Sequence, residues 1–109
     1  MAAIIVSKDA ELMQRVIDEI KTCYDPEIPV DVWELGLIYE LHLSDENELK
    51  IVMTLTSPNC PAAETLPAEV EHKCRMLTGI KSVELKLSFE PMWEKDMMSE
   101  VAQLELGFM

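Results

Sequence analysis

A single cysteine stands where an apolar strand pattern changes into a helical one. Cys60 directly precedes Pro61, and apolar residues at helical spacing follow. Proline is favoured as the first residue of a helix because its missing N–H would be unpaired there anyway, so this order makes Cys60 the N-cap. The unpaired N–H groups and the dipole at a helix start favour the thiolate over the thiol. We therefore predict that Cys60 is reactive and able to attack an electrophile or bind a metal.

Two carboxylates and two hydroxyls are the candidate companions of this sulfur. Asp25 and Glu27 lie in the segment 25–30, which two prolines hold extended, so both side chains point to the same side. Thr56 and Ser57 end the strand that precedes the cysteine. Both segments are connections between predicted elements and can meet at one edge of a sheet, where a thiolate, carboxylates and hydroxyls suit a soft metal ion or an iron–sulfur cluster. The alternative for the acidic pair is an ordinary solvated turn.

The other cysteines and the two histidines have simpler interpretations. Cys23 and Cys74 fall on or beside the apolar stripes of two helices, which predicts inert core thiols. His42 lies on the polar face of a strand and His72 on the polar side of a helix, so both are expected in solvent. Without a nearby base, a thiol enzyme is weakly supported. A single free thiolate cannot complete a four-thiolate site, which favours transient carriage with ligands from another molecule.

Length, charge and cysteine count restrict the class of protein. The 109 residues predict one domain, and 21 acidic against 9 basic residues give a net charge of −12. This charge argues against nucleic acid and against anionic membranes, and it favours a basic protein or a cation as partner. No apolar run approaches the ~20 residues of a membrane span, and the apolar N-terminus is too short for a signal peptide. Three cysteines without an export signal indicate a reduced, cytoplasmic protein.

The spacing of apolar residues predicts two helices and three strands. A helix over 7–23, with Ser7 or Asp9 as N-cap, is followed by strands over 37–43 and 49–56 that pair antiparallel through a short turn. A second helix ends at Gly79 and kinks or restarts at Pro67. A third strand covers 80–88. The expected fold is α+β and two-layered, with two helices on one face of a three-stranded sheet. The position of the third strand is left open. If it lies beside the first strand, the sheet is antiparallel there; if it lies beside the second strand, the sheet is mixed.

Two shorter features complete the expected domain. Asp31 caps a single helical turn that Gly36 closes. Ser99 caps a last short helix that ends at Gly107, within a tail over 94–109 that is apolar for a terminus. The tail is expected either to pack as a flap on the sheet or to form a partner-docking or homodimer surface.

Three motifs in order identify a family resemblance. They are Asp25-Pro26-Glu27-Ile28-Pro29-Val30, then Glu34-Leu35-Gly36-Leu37-Ile38-Tyr39, then Met53-Thr54-Leu55-Thr56-Ser57-Pro58-Asn59-Cys60-Pro61. Together they closely resemble the metal–sulfur cluster assembly factor family of SufT and PaaD-like single-domain proteins. The resemblance covers residues 8–93. The chain has no cysteine-rich C-terminal extension of the PaaD kind, so it is more similar to the SufT-like branch.

The resemblance implies a single α+β domain over 1–109 and a non-enzymatic role in the maturation of iron–sulfur proteins. Its functional positions correspond to Asp25 and Glu27, Thr56 and Ser57, and Cys60. We expect a factor that delivers or inserts clusters into client apoproteins, with an iron–sulfur cluster or iron bound transiently by Cys60, Asp25 and Glu27. The partners are then assembly proteins and clients. The alternatives are a metal-free adaptor that links clients to the assembly machinery and, less supported, a thiol-dependent enzyme.

Overall fold

The computed structural model describes residues 3–25, 28–56 and 65–107. The α+β class predicted from the sequence is confirmed. The elements in chain order are β1 (Ile4–Val6), α1 (Ala10–Ile20), β2 (Ile38–Leu43), β3 (Glu48–Met53), α2 (Thr65–Arg75), β4 (Ser82–Leu87), a 3₁₀ turn (Lys95–Met97) and α3 (Glu100–Glu105).

The sheet has four strands in the order β1-β2-β3-β4, so the prediction of three strands was wrong. The missed strand is β1, which pairs parallel with β2. It is only three residues long, and all three side chains are exposed, so it carries none of the inward and outward alternation by which a strand is recognised. β4 lies parallel beside β3 and β2 antiparallel to β3, which makes the sheet mixed.

The two long helices cover one face of the sheet. Leu41, Ile51 and Met53 on that face are completely buried, whereas Lys50 and Glu84 on the opposite face are exposed. Asp9 caps α1 by accepting a 2.9 Å hydrogen bond from the N–H of Leu12, as one of the two expected caps. No helix in the part of the chain that the structure describes is long and apolar enough to cross a membrane.

Helix α2 agrees with the predicted pattern over its described length. Leu66, Val70 and Cys74 form its buried stripe. Pro67 is the third residue of the range over which the structure describes this helix. The predicted opening of the helix at Pro61 lies outside the described residues.

A β-bulge interrupts the pairing of the two central strands. Ile38 lies opposite Met53, but Glu40 lies opposite Val52, so Tyr39 is one extra residue in β2. A strict alternation along β2, with Leu41 and Leu43 facing inward, would place Ile38 on the outward face. Ile38 is instead 4% exposed, because the bulge shifts the alternation at that point.

Candidate functional site

The two segments expected to carry the site attach to neighbouring strand ends. The N–H of Thr54, just after β3, donates to the carbonyl of Leu37, just before β2, at 2.8 Å. The N–H of Ser88, just after β4, donates to the carbonyl of Met53 at 2.9 Å. The connection from α1 therefore enters β2 at the same end of the sheet where the connection toward α2 leaves β3.

The segment that carries Asp25 is a closed loop. The N–H of Val32 donates to the carbonyl of Cys23 at 2.9 Å, and Tyr24 forms an isolated antiparallel bridge with Asp31. Within this loop Asp25 is only 4% exposed. A carboxylate is rarely so buried in a solvated turn, so the simpler interpretation does not hold for Asp25. Glu27, its predicted companion, lies outside the described residues.

The turn that follows the loop is built as the sequence predicted. Asp31 Oδ2 accepts hydrogen bonds of 3.1 Å from the N–H groups of Trp33 and Glu34. The N–H of Gly36 donates to the carbonyl of Trp33, and the N–H of Leu37 to that of Val32, both at 3.1 Å, with Gly36 at φ +77°. This is the glycine-closed end of a helical turn. Burial raises the pKa of the Asp31 carboxyl, and the nearby charge of Glu34 adds to the rise.

A segment from the C-terminal part of the chain, the strap over residues 91–99, holds this turn in place. Trp93 Nε1 donates to the carbonyl of Leu35 at 2.6 Å, and the N–H of Ser99 donates to the carbonyl of Glu34 at 2.8 Å. Tyr39 donates its hydroxyl to the carbonyl of Pro91 at 2.7 Å. The strap thus connects the turn before β2 to the end of the domain.

The tail is therefore a packed flap over part of its length. Ser99 caps α3 by accepting from the N–H of Ala102 at 3.1 Å, as predicted, and Met98 and Ala102 are buried. Val101 and Leu104 on the same short helix are 59% and 67% exposed. No pattern in the sequence pairs Trp93 with the turn, because the two lie 58 residues apart.

The oxygen-bearing residues after β3 differ in exposure. Thr54 is completely buried, and Thr56, a predicted site residue, is partly exposed two residues further on. Ser57 and Cys60 lie outside the described residues. Of the five predicted site residues, Asp25 and Thr56 are described, and they belong to the two segments that share this edge. The assignments of a metal ligand or a hydroxyl contact to any of the five stay predictions.

The two other thiols are core residues, as predicted. Cys23 and Cys74 are both completely buried. Burial raises the pKa of Cys23 to about 11 and that of Cys74 to about 12, so neither forms a thiolate at neutral pH. His42 lies on the outer face of the sheet and contacts Glu40 Oε1 at 2.7 Å, while His72 is exposed. Within the described ranges, no group of three or more His, Cys, Asp or Glu side chains is arranged to hold a metal ion.

Comparison with known proteins agrees with the motifs. The model of a family described as iron–sulfur cluster assembly protein matches residues 13–87. An Fe-S protein maturation auxiliary factor of Porphyromonas gingivalis is 49% identical over 94 residues, which cover 86% of this chain and 90% of that protein. The Fe-S protein maturation auxiliary factor SufT of Staphylococcus aureus is 36% identical over 83 residues, 76% of this chain and 94% of that protein.

A solved structure shares the fold. The crystal structure of a domain of unknown function, DUF59, from Bacillus anthracis superimposes with a TM-score of 0.84 at 28% identity, covering 90% of this chain and 93% of that one. The family model spans more than half of the chain, and the relatives are covered almost end to end. This chain belongs to the iron–sulfur cluster assembly protein family.

Proposed function

We propose that this protein is a non-enzymatic factor that assists the delivery or insertion of iron–sulfur clusters into client apoproteins. The observation that carries the proposal is the shared edge of the sheet, where Thr54 N–H binds the carbonyl of Leu37. The segment leading to Cys60 leaves the sheet there, and the connection that carries the buried Asp25 enters the sheet there. The names of the relatives, which are maturation auxiliary factors, support the same role.

In this proposal the cluster or an iron ion is cargo. The Cys60 thiolate is a soft ligand for it, and the carboxylates of Asp25 and Glu27 bind the metal or orient the incoming group. Thr56 and Ser57 supply hydroxyls that donate hydrogen bonds to sulfur or oxygen ligands. One thiolate leaves the coordination incomplete, so another assembly protein, the client or a small thiol supplies the remaining ligands. Such shared ligation favours release of the cluster or iron ion. The setting is the cytoplasm, where thiols stay reduced.

Anaerobic reconstitution with iron and sulfide tests the ligand role. The visible absorption of a bound cluster is expected with the wild-type protein and is expected to disappear with Cys60→Ala. Cys74→Ala is the matched control, because it also removes one thiol but from a completely buried position. If wild-type and Cys60→Ala proteins give the same spectrum, or if neither binds iron or cluster at any stoichiometry, Cys60 does not carry cargo.

A measurement in cells separates the carrier from a metal-free adaptor. Activity of an iron–sulfur client enzyme is followed in a strain that lacks this protein and expresses either the wild type or Cys60→Ala at equal level. A carrier needs the thiolate, so the variant is expected to restore no more activity than an empty vector. Full restoration by Cys60→Ala would support the adaptor instead.

A further inference from the structure

A small groove separates the loop that contains Asp25 from helix α3. Its walls come from three parts of the chain: the loop closed by Tyr24 and Asp31, the turn that follows, and α3. The side chains that line it are Tyr24, Pro29, Val30, Asp31, Glu34, Val101, Ala102 and Glu105. The cavity measures about 100 Å³. We call it the Tyr24 groove.

The groove is amphipathic and partly exposed. Tyr24 is 56% exposed and Val101 is 59% exposed, so an aromatic ring and a branched side chain stand in water on its two sides. Leu104, three residues after Val101, extends the exposed apolar surface along α3 and is 67% exposed. Exposed apolar side chains grouped around a concave site are typical of protein contact surfaces.

The charge of the groove has one sign. Among the described residues that line it, the charged ones are Asp31, Glu34 and Glu105, and all are acidic. Burial raises the pKa of Asp31, and Glu34 contributes by its like charge. The three carboxylates nevertheless form no group that could hold a metal ion among the described residues.

We infer that the Tyr24 groove docks a lysine or arginine side chain from an apolar, basic segment of a partner protein. Such a side chain has an aliphatic stem that packs against Pro29 and Val101 and a charged head that meets the carboxylates. The ring of Tyr24 offers an additional cation–π contact. The cavity is too small for a cofactor, since ligand pockets usually measure about 300–1,000 Å³.

Charge complementarity also selects the partner. A second copy of this chain brings the same net charge of −12 and the same acidic rim, so it is repelled at this surface. A basic segment is attracted. The inference goes beyond the proposed function, because docking requires neither Cys60 nor a metal. It also adds a consequence to that function: a partner held here lies directly beside the loop that contains Asp25.

Titration with short peptides, followed by the backbone amide signals of the isotopically labelled protein, tests the inference. The probe is an acetylated, amidated pentapeptide with arginine at its centre and leucine on both sides. Saturable shifts are expected at Tyr24, Val30, Val101 and Ala102. The same peptide with glutamate at its centre is expected to cause none. Added salt is expected to weaken binding, because the pairs on the rim are open to solvent.

Paired variants show which carboxylates matter. Removing the charges of Glu34 and Glu105 together, as Glu34→Gln with Glu105→Gln, is expected to raise the dissociation constant roughly tenfold, at about threefold for each exposed pair. The control is Glu48→Gln with Glu84→Gln on β3 and β4, which changes the net charge equally and lies on exposed strand positions away from the groove. Circular dichroism before titration checks that each variant is folded.

Four outcomes would overturn the inference. They are shifts that do not saturate or that fall elsewhere, equal binding of the arginine and glutamate peptides, equal weakening by both pairs of variants, and competition of the arginine peptide by spermidine at equal concentration. The last would mean that the groove recognises a free cation without the peptide's apolar side chains. None of these outcomes depends on cluster binding, so they are distinguishable from failure of the proposed function. Sedimentation of the protein alone checks for dimers; a dimer abolished by Val101→Asp would mean that a second copy is the occupant.

Discussion

Replacing Gly36 by alanine should detach the strap from the turn that precedes β2. Gly36 has φ +77°, and a Cβ atom built there collides with the carbonyl oxygen of Met97 in the strap. The left-handed conformation costs an alanine about 1–2 kcal/mol. Relieving the collision moves the Met97 carbonyl away and breaks the nearby bond from Ser99 N–H to the carbonyl of Glu34, which costs about 1 kcal/mol more. The expected loss of unfolding free energy is about 2–3 kcal/mol.

A second glycine provides the matched control. Gly107 also has φ +77°, but no atom of the residues that the structure describes lies within 4 Å of a Cβ atom built on it. Gly107→Ala therefore carries the conformational cost alone, at most about 1–2 kcal/mol. Urea unfolding of both variants, followed by tryptophan fluorescence, measures the difference. Equal destabilisation would refute the close approach of the strap to Gly36, and so would Gly36→Ala with native stability.

Four further predictions concern other residues. Iodoacetamide at pH 8, with mass-spectrometric mapping, is expected to label Cys60 in the native protein and Cys23 and Cys74 only after unfolding. An alkylation rate of Cys60 no higher than that of a free thiol would contradict its helix-cap position. Because burial raises the pKa of Cys23 to about 11 and of Cys74 to about 12, unfolding free energy is expected to fall as pH rises above about 9, where the unfolded thiols ionise and the native ones do not. Asp31→Asn keeps the cap and removes a carboxylate whose pKa is raised on folding, so its unfolding free energy in urea titrations is expected to equal or exceed that of the wild type at pH 7 and to lose that advantage as pH falls toward 3.8. Asp31→Ala is expected to lose about 1 kcal/mol of unfolding free energy because it removes the cap. An Asn variant as unstable as the Ala variant would contradict the argument. Trp93→Phe leaves its buried carbonyl acceptor without that donor and should cost about 1–3 kcal/mol in thermal or urea unfolding; a neutral effect would show that the bond contributes nothing.

Helix caps and apolar stripes in the sequence correctly predicted short-range features of the structure. Asp9, Asp31 and Ser99 each cap the element expected of them, because capping depends on a side chain and a backbone N–H only two or three residues apart. The apolar stripes placed Cys23 and Cys74 in the core correctly. These features need no information from distant parts of the chain.

Features that depend on contacts between distant parts of the chain were not predicted from the sequence. β1 is held by pairing with β2, more than thirty residues further along the chain, and its own three exposed side chains leave no pattern to recognise. The contact of Trp93 with Leu35 joins residues 58 positions apart. The Tyr24 groove likewise combines a loop, a turn and a helix that become neighbours only in the fold. Pairing partners of this kind follow from packing, which periodicity does not encode.

The bulge at Tyr39 has a consequence for the distance between the two motif segments. One motif segment enters β2 and the other leaves β3. The pairing of Ile38 with Met53 therefore determines the position of the start of β2 relative to the end of β3. One inserted residue displaces a strand by about 3.3 Å, more than the length of a metal–ligand bond. Tyr39 thus acts as a spacer in the backbone. Its single additional residue sets the register of the two strand ends to which the motif segments are attached.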